Sequence, residues 1–419
     1  MTGLRVLPRS GERTYLSEAA RMFGMAIRSF RIRNLLSIRD ATLELATPVT
    51  LLIGPNGAGK TNLLRGIELL SRLVDDTFQE AITRSGGFSE HFFQGNPVAD
   101  FDQTERGSGF NPRCFAINVD YWINTTLKSG YDVQFSRGTG DTSLVRERLF
   151  FHDTANYNDP YYDDFHGNNG WKPLARRSVL SHEDERHSSS GVQERIRDIL
   201  TGCRVFHFDD SSSRSPVLQT CDVADNFRLH SDGRNLAAVL WRMRESDAER
   251  YAGIVRSVRV VAPFLEDFVV DPVYEGSHNT VLRWRQKGLD STFSGERLSS
   301  GTLRFICLTV LLQQTNPPET IVLDEPELGL HPFAIYQLAE MLHEVASAER
   351  KIIVTTQSVT LANQFSLQEL ALVTRENGAT TVNRPEPEAY TQWLDDYSVG
   401  QMWENNVLNV SPKREVTNS

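Results

Sequence analysis

An α/β fold whose phosphate-binding loops line one edge of a buried sheet is predicted by three separated stretches of this 419-residue chain. In chain order they are Gly54-Pro55-Asn56-Gly57-Ala58-Gly59-Lys60-Thr61, Leu298-Ser299-Ser300-Gly301-Thr302 and Ile321-Val322-Leu323-Asp324-Glu325-Pro326. The first fits the pattern G-x-x-x-x-G-K-S/T. There the glycine-rich backbone wraps phosphates with its N–H groups, the lysine reaches the β/γ oxygens and the hydroxyl binds Mg²⁺. Its flanks support that reading: Val49 to Ile53 is a short apolar run suited to a buried strand, and Asn62 to Leu70 carries apolar residues at helical spacing. Strand, loop and helix in this order assign Asn56, Gly57, Gly59, Lys60, Thr61 and Asn62 to the nucleotide, with Thr61 also a metal ligand.

Further along, Glu319 to Leu323 reads as a strand that delivers Asp324 and Glu325. A carboxylate at the end of a buried strand can hold Mg²⁺ through its water shell, and a second beside it can orient an attacking water. Asp324 is therefore the expected metal residue and Glu325 the general base. Paired acids after a strand also cap helices, but the string from Leu323 through His331-Pro332 is longer than a cap requires. Ser299 and Gly301 precede an apolar helical run, Leu303 to Leu312, whose N-terminus would aim N–H dipoles at an anion. A plain serine N-cap looks the same locally; the two phosphate motifs on either side tip the balance. After the strand Lys351 to Thr356 stands Gln357, which can donate a hydrogen bond to a γ-phosphate oxygen but cannot take up a proton. Its alternative is to cap the next helix. Gln94, in His91-Phe92-Phe93-Gln94-Gly95, reads as a surface loop residue.

Three further strings accompany these motifs: Phe30-Arg31-Ile32-Arg33-Asn34-Leu35-Leu36-Ser37-Ile38, Ser231-Asp232-Gly233-Arg234-Asn235-Leu236-Ala237 and Ser398-Val399-Gly400-Gln401-Met402-Trp403. Together, from Met25 onward, the chain resembles the ABC-type ATPase heads of the RecF/SMC/OLD group, most closely the short stand-alone RecF-like AAA-family ATPases of bacteria. The resemblance implies a P-loop NTPase of ABC-ATPase type, with a RecA-like mixed sheet core, an antiparallel β-layer and a helical and loop insertion. It implies that Ser299 and Gly301 belong to a signature that closes in trans on the γ-phosphate bound by a second subunit. Asp324 and Glu325 then form the Walker B end, Leu328 to Pro332 the D-loop, and Gln357 stands where many such heads place a switch histidine. Gln94 is the candidate for the metal-reaching loop glutamine that the resemblance implies. ATP and Mg²⁺ follow as cofactors, and an ATP-sandwiched homodimer as the working form. Relatives of this kind act in DNA repair or as sensors in anti-phage defence, which makes double-stranded DNA and a separate nuclease or effector protein the expected partners. The alternative is a nucleotide-regulated scaffold that cages such an effector, with incidental hydrolysis. An ABC transporter subunit is disfavoured by the D-loop string, the opening strand and the long middle insertion.

Composition agrees with a soluble globular chain: 39% hydrophobic and 23% charged residues, enough for one large domain or two smaller ones. Cys114, Cys203, Cys221 and Cys307 form no CxxC pair, so reduced thiols and a cytoplasmic location are expected. Cys203, His207 and Cys221 lack the second close pair a zinc site would show. No run of eighteen apolar residues occurs, so no membrane span is expected. A net charge of −10 argues against a surface that coats nucleic acid throughout. The early cluster Arg28, Arg31, Arg33 and Arg39 puts Arg31 and Arg33 on one strand face, read as a solvated sheet face with DNA-phosphate contact as the alternative.

Motif order divides the chain into an N-terminal extension (1–25), a first ATPase part with the P-loop (26–85), a β-layer and lid insertion (86–230), a second ATPase part (231–385) and a tail (386–419). Met1 to Gly24 lacks the apolar core of a signal peptide. Phe115 to Val119 and Tyr131 to Phe135 read as hairpin strands, and Tyr157 to Ser190 as a loop or lid. Gln193 to Leu200 and Leu236 to Met243 are short helical segments without sustained heptads, so no coiled-coil arm is expected. Too little chain follows Gln357 here for a TOPRIM nuclease domain of the kind fused in OLD-family enzymes, so any nuclease activity is expected from a separate protein.

Overall fold

Val49–Ile53 (β3) and Lys351–Thr355 (β15) are buried along their whole length, and Thr320–Asp324 (β14) is buried up to its last residue. Strands that read as continuous apolar or β-branched runs are those of a parallel sheet covered on both faces, and the pairing agrees. In this computed structural model, which describes residues 26–98, 114–122, 127–153, 155, 161–162, 171–172, 174–181, 191–208, 214–274, 276–394 and 396–410, β15 lies parallel between β3 and β14. Its register sets Thr355 beside Leu52 on one side and beside Asp324 on the other. Cys203–Phe206 (β8) extends the sheet beyond β14, while Leu370–Glu376 (β16) runs parallel to β3 and carries the antiparallel edge strand Ala379–Asn383 (β17).

The second six-stranded sheet is antiparallel. Its order is Ile38–Glu44 (β2), Ala26–Leu35 (β1), Cys114–Trp122 (β4), Leu127–Arg137 (β5), Ser143–Asp153 (β6) and Tyr161–Tyr162 (β7). A two-stranded pair, Cys221–Asp222 (β9) with Asn279–Thr280 (β11), and a small sheet of Leu265–Val269 (β10), Arg283–Gln286 (β12) and Thr292–Ser294 (β13) complete the β-structure among the described residues.

Lys60–Val74 (α1) follows β3 and shares one core cluster with apolar residues of both sheets, including Phe30, Ile32 and Ile117 of the antiparallel sheet and Leu52, Val322 and Ile353 of the parallel one. Gly66 lets this helix approach closely, since a Cβ there would lie 2.6 Å from Ile32 Cδ1. Gly191–Thr201 (α2) joins the same cluster through Ile196, Ile199 and Leu200. A second core cluster unites Leu51 and Ile53 with Leu236–Ser246 (α3), Ala248–Val261 (α4), Ser300–Gln313 (α5) and Pro332–Val345 (α6). In α5, Phe305 through Leu312 are all buried, as befits a helix apolar on every side.

Several expectations change. β8 falls inside the stretch 86–230 assigned to the insertion, yet it is an edge strand of the parallel sheet, while β1 and β2, from the first ATPase part, belong to the β-layer. Tyr161–Tyr162, read as loop, pairs with Phe150 and Phe151; most of Tyr157 to Ser190, and all of Met1 to Gly24, lie outside the described residues. The solvated arginine face holds only for Arg31, which forms a bidentate pair with Asp40 at 2.9 and 2.7 Å. Arg33 is 8% exposed and donates to Asn118 Oδ1 of the neighbouring strand β4 at 3.0 Å. Burial pushes the thiols of Cys114, Cys203 and Cys307 up to about 12. Among the described residues no His, Cys or acidic cluster could hold a metal by itself, and no helix is long and apolar enough to cross a membrane.

Because Phe305 is 1% exposed in the second cluster, Phe305→Ala should lower unfolding free energy by about 3–5 kcal/mol in a urea titration followed by circular dichroism.

Candidate functional site

The loop that leaves β3 is shaped by glycines at two positions where other residues would strain. Gly57 has φ 78° and Gly59 φ 107°, both in the left-handed region. At Gly59 a Cβ would also lie 2.0 Å from Thr380 Oγ1 and 2.9 Å from Ser37 Oγ. Those two hydroxyls bond each other at 2.7 Å. Thr380 Oγ1 donates to Ala58 O at 2.9 Å, and Asn62 Nδ2 donates to Ser37 Oγ at 2.7 Å. A polar chain from the β1–β2 turn and from β17 thus braces the loop from behind. In front, α1 starts at Lys60 with no side-chain cap and no acid in its first turn, which leaves a helix N-terminus suited to an anion. The Lys60 ammonium donates to Gly54 O at 2.6 Å and to Pro55 O at 3.3 Å. Burial lowers its pKa, while Glu325, Asp324 and Glu327 act to raise it, so the lysine shares one electrostatic neighbourhood with all three acids.

Asp324 ends β14, and its Oδ1 accepts a hydrogen bond from Thr355 Oγ1 at 2.5 Å. The next residue, Glu325, is forced into the left-handed region at φ 43°, a conformation that costs a non-glycine residue about 1–2 kcal/mol. Its N–H donates to Thr355 O at 3.1 Å and to Thr355 Oγ1 at 3.0 Å, and its Oε1 accepts from Gln357 Nε2. Asp324, Glu325 and Gln357 are therefore brought together as expected, on a frame provided by Thr355. The exposed Thr61 hydroxyl and the Asp324 carboxylate are hard oxygen donors of the type Mg²⁺ takes, so the residues fit the metal.

Ser299 is the exposed N-cap of α5, its Oγ accepting from Thr302 N at 3.1 Å. Gly301 meets the turn after Glu325, since a Cβ on it would lie 2.2 Å from Gly329 O. Arg304 ties the same helix to that turn by donating to Leu328 O, and to the end of β8 by donating to Phe208 O at 3.2 Å. Neither Ser299 nor Gly301 shares a hydrogen bond with residues 54–62 among the described residues. Gln94 folds back on its own loop, donating to Ser89 O at 3.2 Å and Phe92 O at 3.1 Å. That loop is tied to the end of β1 through Phe93 N to Asn34 O at 2.9 Å. Sequence reasoning missed Ser37, Thr355 and Thr380. Ser37 stood inside the opening-strand string and Thr355 inside the strand ahead of Gln357; nothing in the sequence marked Thr380.

A parallel sheet that gathers a glycine-braced phosphate loop, two strand-end acids and a signature helix, covered by an antiparallel layer, defines a P-loop ATPase head of the ABC type. The chain belongs to the AAA domain family described as "AAA domain, putative AbiEii toxin, Type IV TA system", which matches residues 49–363, and is an ATPase head of the RecF/SMC/OLD kind. It is similar to an OLD nuclease of Thermus scotoductus, 22% identical over 371 residues that cover 84% of this chain and 62% of that protein. A shorter match, 41% identical over 49 residues, covers 12% of this chain and 13% of a Cyanothece DNA replication and repair protein RecF. The chain thus spans less than two thirds of these curated relatives. Its fold is similar to an SMC head bound to the C-winged helix domain of ScpA, with TM-score 0.51 at 13% identity over 87% of this chain and 99% of that one. The SMC head with an extended coiled coil, bound to the C-terminal domain of ScpA derived from Pyrococcus furiosus, aligns with TM-score 0.50 at 12% identity over 89% and 99%.

Gly59→Ala should weaken ATP binding about tenfold or more, roughly 1.4 kcal/mol, in a fluorescent-nucleotide titration, because its Cβ would push Ser37 and Thr380 away from the loop they brace.

Proposed function

We propose that the protein is a Mg²⁺-dependent ATP hydrolase whose two copies sandwich two nucleotides and whose cycle is coupled to DNA-related work, in repair or in anti-phage defence. The observation that carries this reading is Glu325, a strand-end carboxylate held in a strained conformation beside Asp324 and engaged by Gln357. A strained residue braced by its surroundings is what a pre-organised functional site requires.

In this reading Asn56, Gly57, Gly59 and the first turn of α1, with Asn62 fixing the loop to Ser37, hold the phosphates through backbone N–H groups. Lys60 leaves its loop carbonyls for the β/γ oxygens. Thr61 and Asp324 would hold Mg²⁺, which would supply neutralisation of the phosphate charge when bound. Glu325 orients the attacking water and accepts its proton, and Gln357 moves from the carboxylate to a γ-phosphate oxygen. Ser299 and Gly301, which share no hydrogen bond with residues 54–62 among the described residues, present an exposed helix N-terminus to the nucleotide of a second copy. Gln94 would reach the metal only after releasing the carbonyls of Ser89 and Phe92. The link to DNA rests on the relatives' names, a nuclease and a replication and repair protein.

A nucleotide-regulated scaffold that cages a partner effector is the second reading. It is favoured by the Gln357 amide already occupying Glu325 Oε1, which a water would have to contest.

Measurement of ATP hydrolysis by wild type and Glu325→Gln, with and without linear double-stranded DNA at low salt, separates them. The expected outcome is a Glu325-dependent rate raised several-fold by DNA; turnover below about one per hour and indifferent to DNA favours the scaffold, since working enzymes run far faster. With ATP and Mg²⁺, Glu325→Gln should elute as a dimer in size-exclusion chromatography with light scattering. A monomer under those conditions refutes the sandwich. Chelation of Mg²⁺ by EDTA should abolish both hydrolysis and the dimer.

A further inference from the structure

Three consecutive residues at the end of β15 each hold one acid of the turn after β14. Thr355 Oγ1 donates to Asp324 Oδ1 at 2.5 Å, Gln357 Nε2 donates to Glu325 Oε1, and Thr356 Oγ1 donates to Glu327 Oε1. The first two contacts belong to the site already described. The third does not touch solvent: Glu327 is 5% exposed and Thr356 is fully buried.

The Glu327 side chain points back from the turn to the switch segment and grips its backbone as well, since Oε1 also accepts from Gln357 N at 3.4 Å. Thr356 Oγ1 in turn accepts from Ser358 N at 2.9 Å. The main chain around Gln357 is therefore fixed on both sides through one carboxyl group, while the Gln357 side chain is exposed and its amide has Glu325 as partner. The other oxygen, Glu327 Oε2, is buried with no hydrogen-bond partner among the described residues. An unmatched buried oxygen is unfavourable, so packing alone would be served better by an apolar residue. Burial also raises the pKa of this carboxyl above the usual carboxylate range, with the bonds from Thr356 and Gln357 acting against that shift.

We propose that Glu327 is a positioning residue for the nucleotide site: by clamping Thr356 and the Gln357 backbone it sets the reach of the Gln357 amide toward a γ-phosphate, and with it the preference for triphosphate over diphosphate. The inference rests on the proposed role of Gln357 at the γ-phosphate. A ligand shifts an equilibrium only through contacts that differ between states, and Gln357 is one of the groups whose contact differs between the two nucleotides. Loosening its clamp therefore acts on the triphosphate and leaves the diphosphate almost untouched.

The test uses the full chain with Mg²⁺ and fluorescently labelled ADP and a non-hydrolysable ATP analogue, comparing wild type with Glu327→Ala, Glu327→Gln, Thr356→Val, Gln357→Ala and the Glu327→Ala/Gln357→Ala pair. Expected is a fall of about fivefold or more in the analogue-to-ADP affinity ratio for Glu327→Ala and Thr356→Val, in the range of an ordinary coupling between sites. ADP affinity should stay within about twofold, well under 1.4 kcal/mol. Glu327→Gln, whose carbonyl can accept the same two bonds, should restore most of the ratio, and the double variant should lose no more than Gln357→Ala alone. An unchanged ratio in Thr356→Val and Glu327→Ala, or losses that add in the pair, overturns the proposal. Should Glu327→Ala fail to fold, Thr356→Val decides alone. A wild type whose ATP turnover is insensitive to Glu325→Gln sinks the hydrolytic reading instead, and the affinity ratio remains readable in that case.

Discussion

The parallel pairing of β15 between β3 and β14 is the constraint on which the site depends. It sets Thr355 opposite both Leu52 and Asp324, so that the loop after β3, the acids after β14 and the glutamine after β15 leave the sheet at one edge. Ligand sites of open α/β sheets lie at the carboxyl ends of the strands for this reason. Thr355 illustrates how tightly the pairing specifies the chemistry. Its main-chain oxygen and its hydroxyl both take the Glu325 N–H, and the hydroxyl also donates to Asp324. A slip of one residue in β15 would turn that side chain to the other face and release both acids.

The antiparallel layer contributes by bracing the loop. α1 shares its core with both sheets, so its position, and hence that of Lys60 at its first turn, is set by packing from two sides. The braces themselves are polar: Ser37 from the β1–β2 turn and Thr380 from β17 meet behind Gly59. The edge strands of the two sheets are further stapled by Arg384, which donates to Glu44 O at 2.5 Å and to Gln368 O at 2.8 Å.

What the sequence carried was the local part of this design. Strand, loop and helix around Lys60, the N-cap at Ser299 and the strand-end acids are set by neighbouring residues, and periodicity and turn chemistry made them readable. What it hid was set by residues far away in the chain. Ser37 and Thr380 lie 343 positions apart and meet in one hydrogen bond. Arg33 looked like an exposed strand position, yet it is buried and bonded to Asn118 of β4, and β8 looked like part of the insertion because its four residues carry no mark of the sheet they join. Gln94 was offered as a metal-reaching glutamine against a plain surface residue, and its amide is held by carbonyls of its own loop, a local contact that a sequence pattern does not distinguish from an open one.

The turn from Glu325 to Leu330 couples the two halves of the site. Leu328 N donates to Glu325 O at 3.2 Å and Leu330 N to Glu327 O at 2.9 Å, so the strained residue and the buried one are consecutive parts of one tight structure. Gly329, at φ 76°, closes that turn and is the surface on which Gly301 rests, and Arg304 binds the carbonyl of Leu328 beside it. The start of α5 is thereby packed directly on the turn that holds Glu325 out of its relaxed conformation. With no room for a Cβ at Gly301 beside Gly329 O, the first turn of α5 and the turn that carries Glu325 are close-packed against each other. Under the proposed roles of Ser299 and Glu325, communication between them would need no long relay through the domain, because their segments share one contact surface a few residues wide.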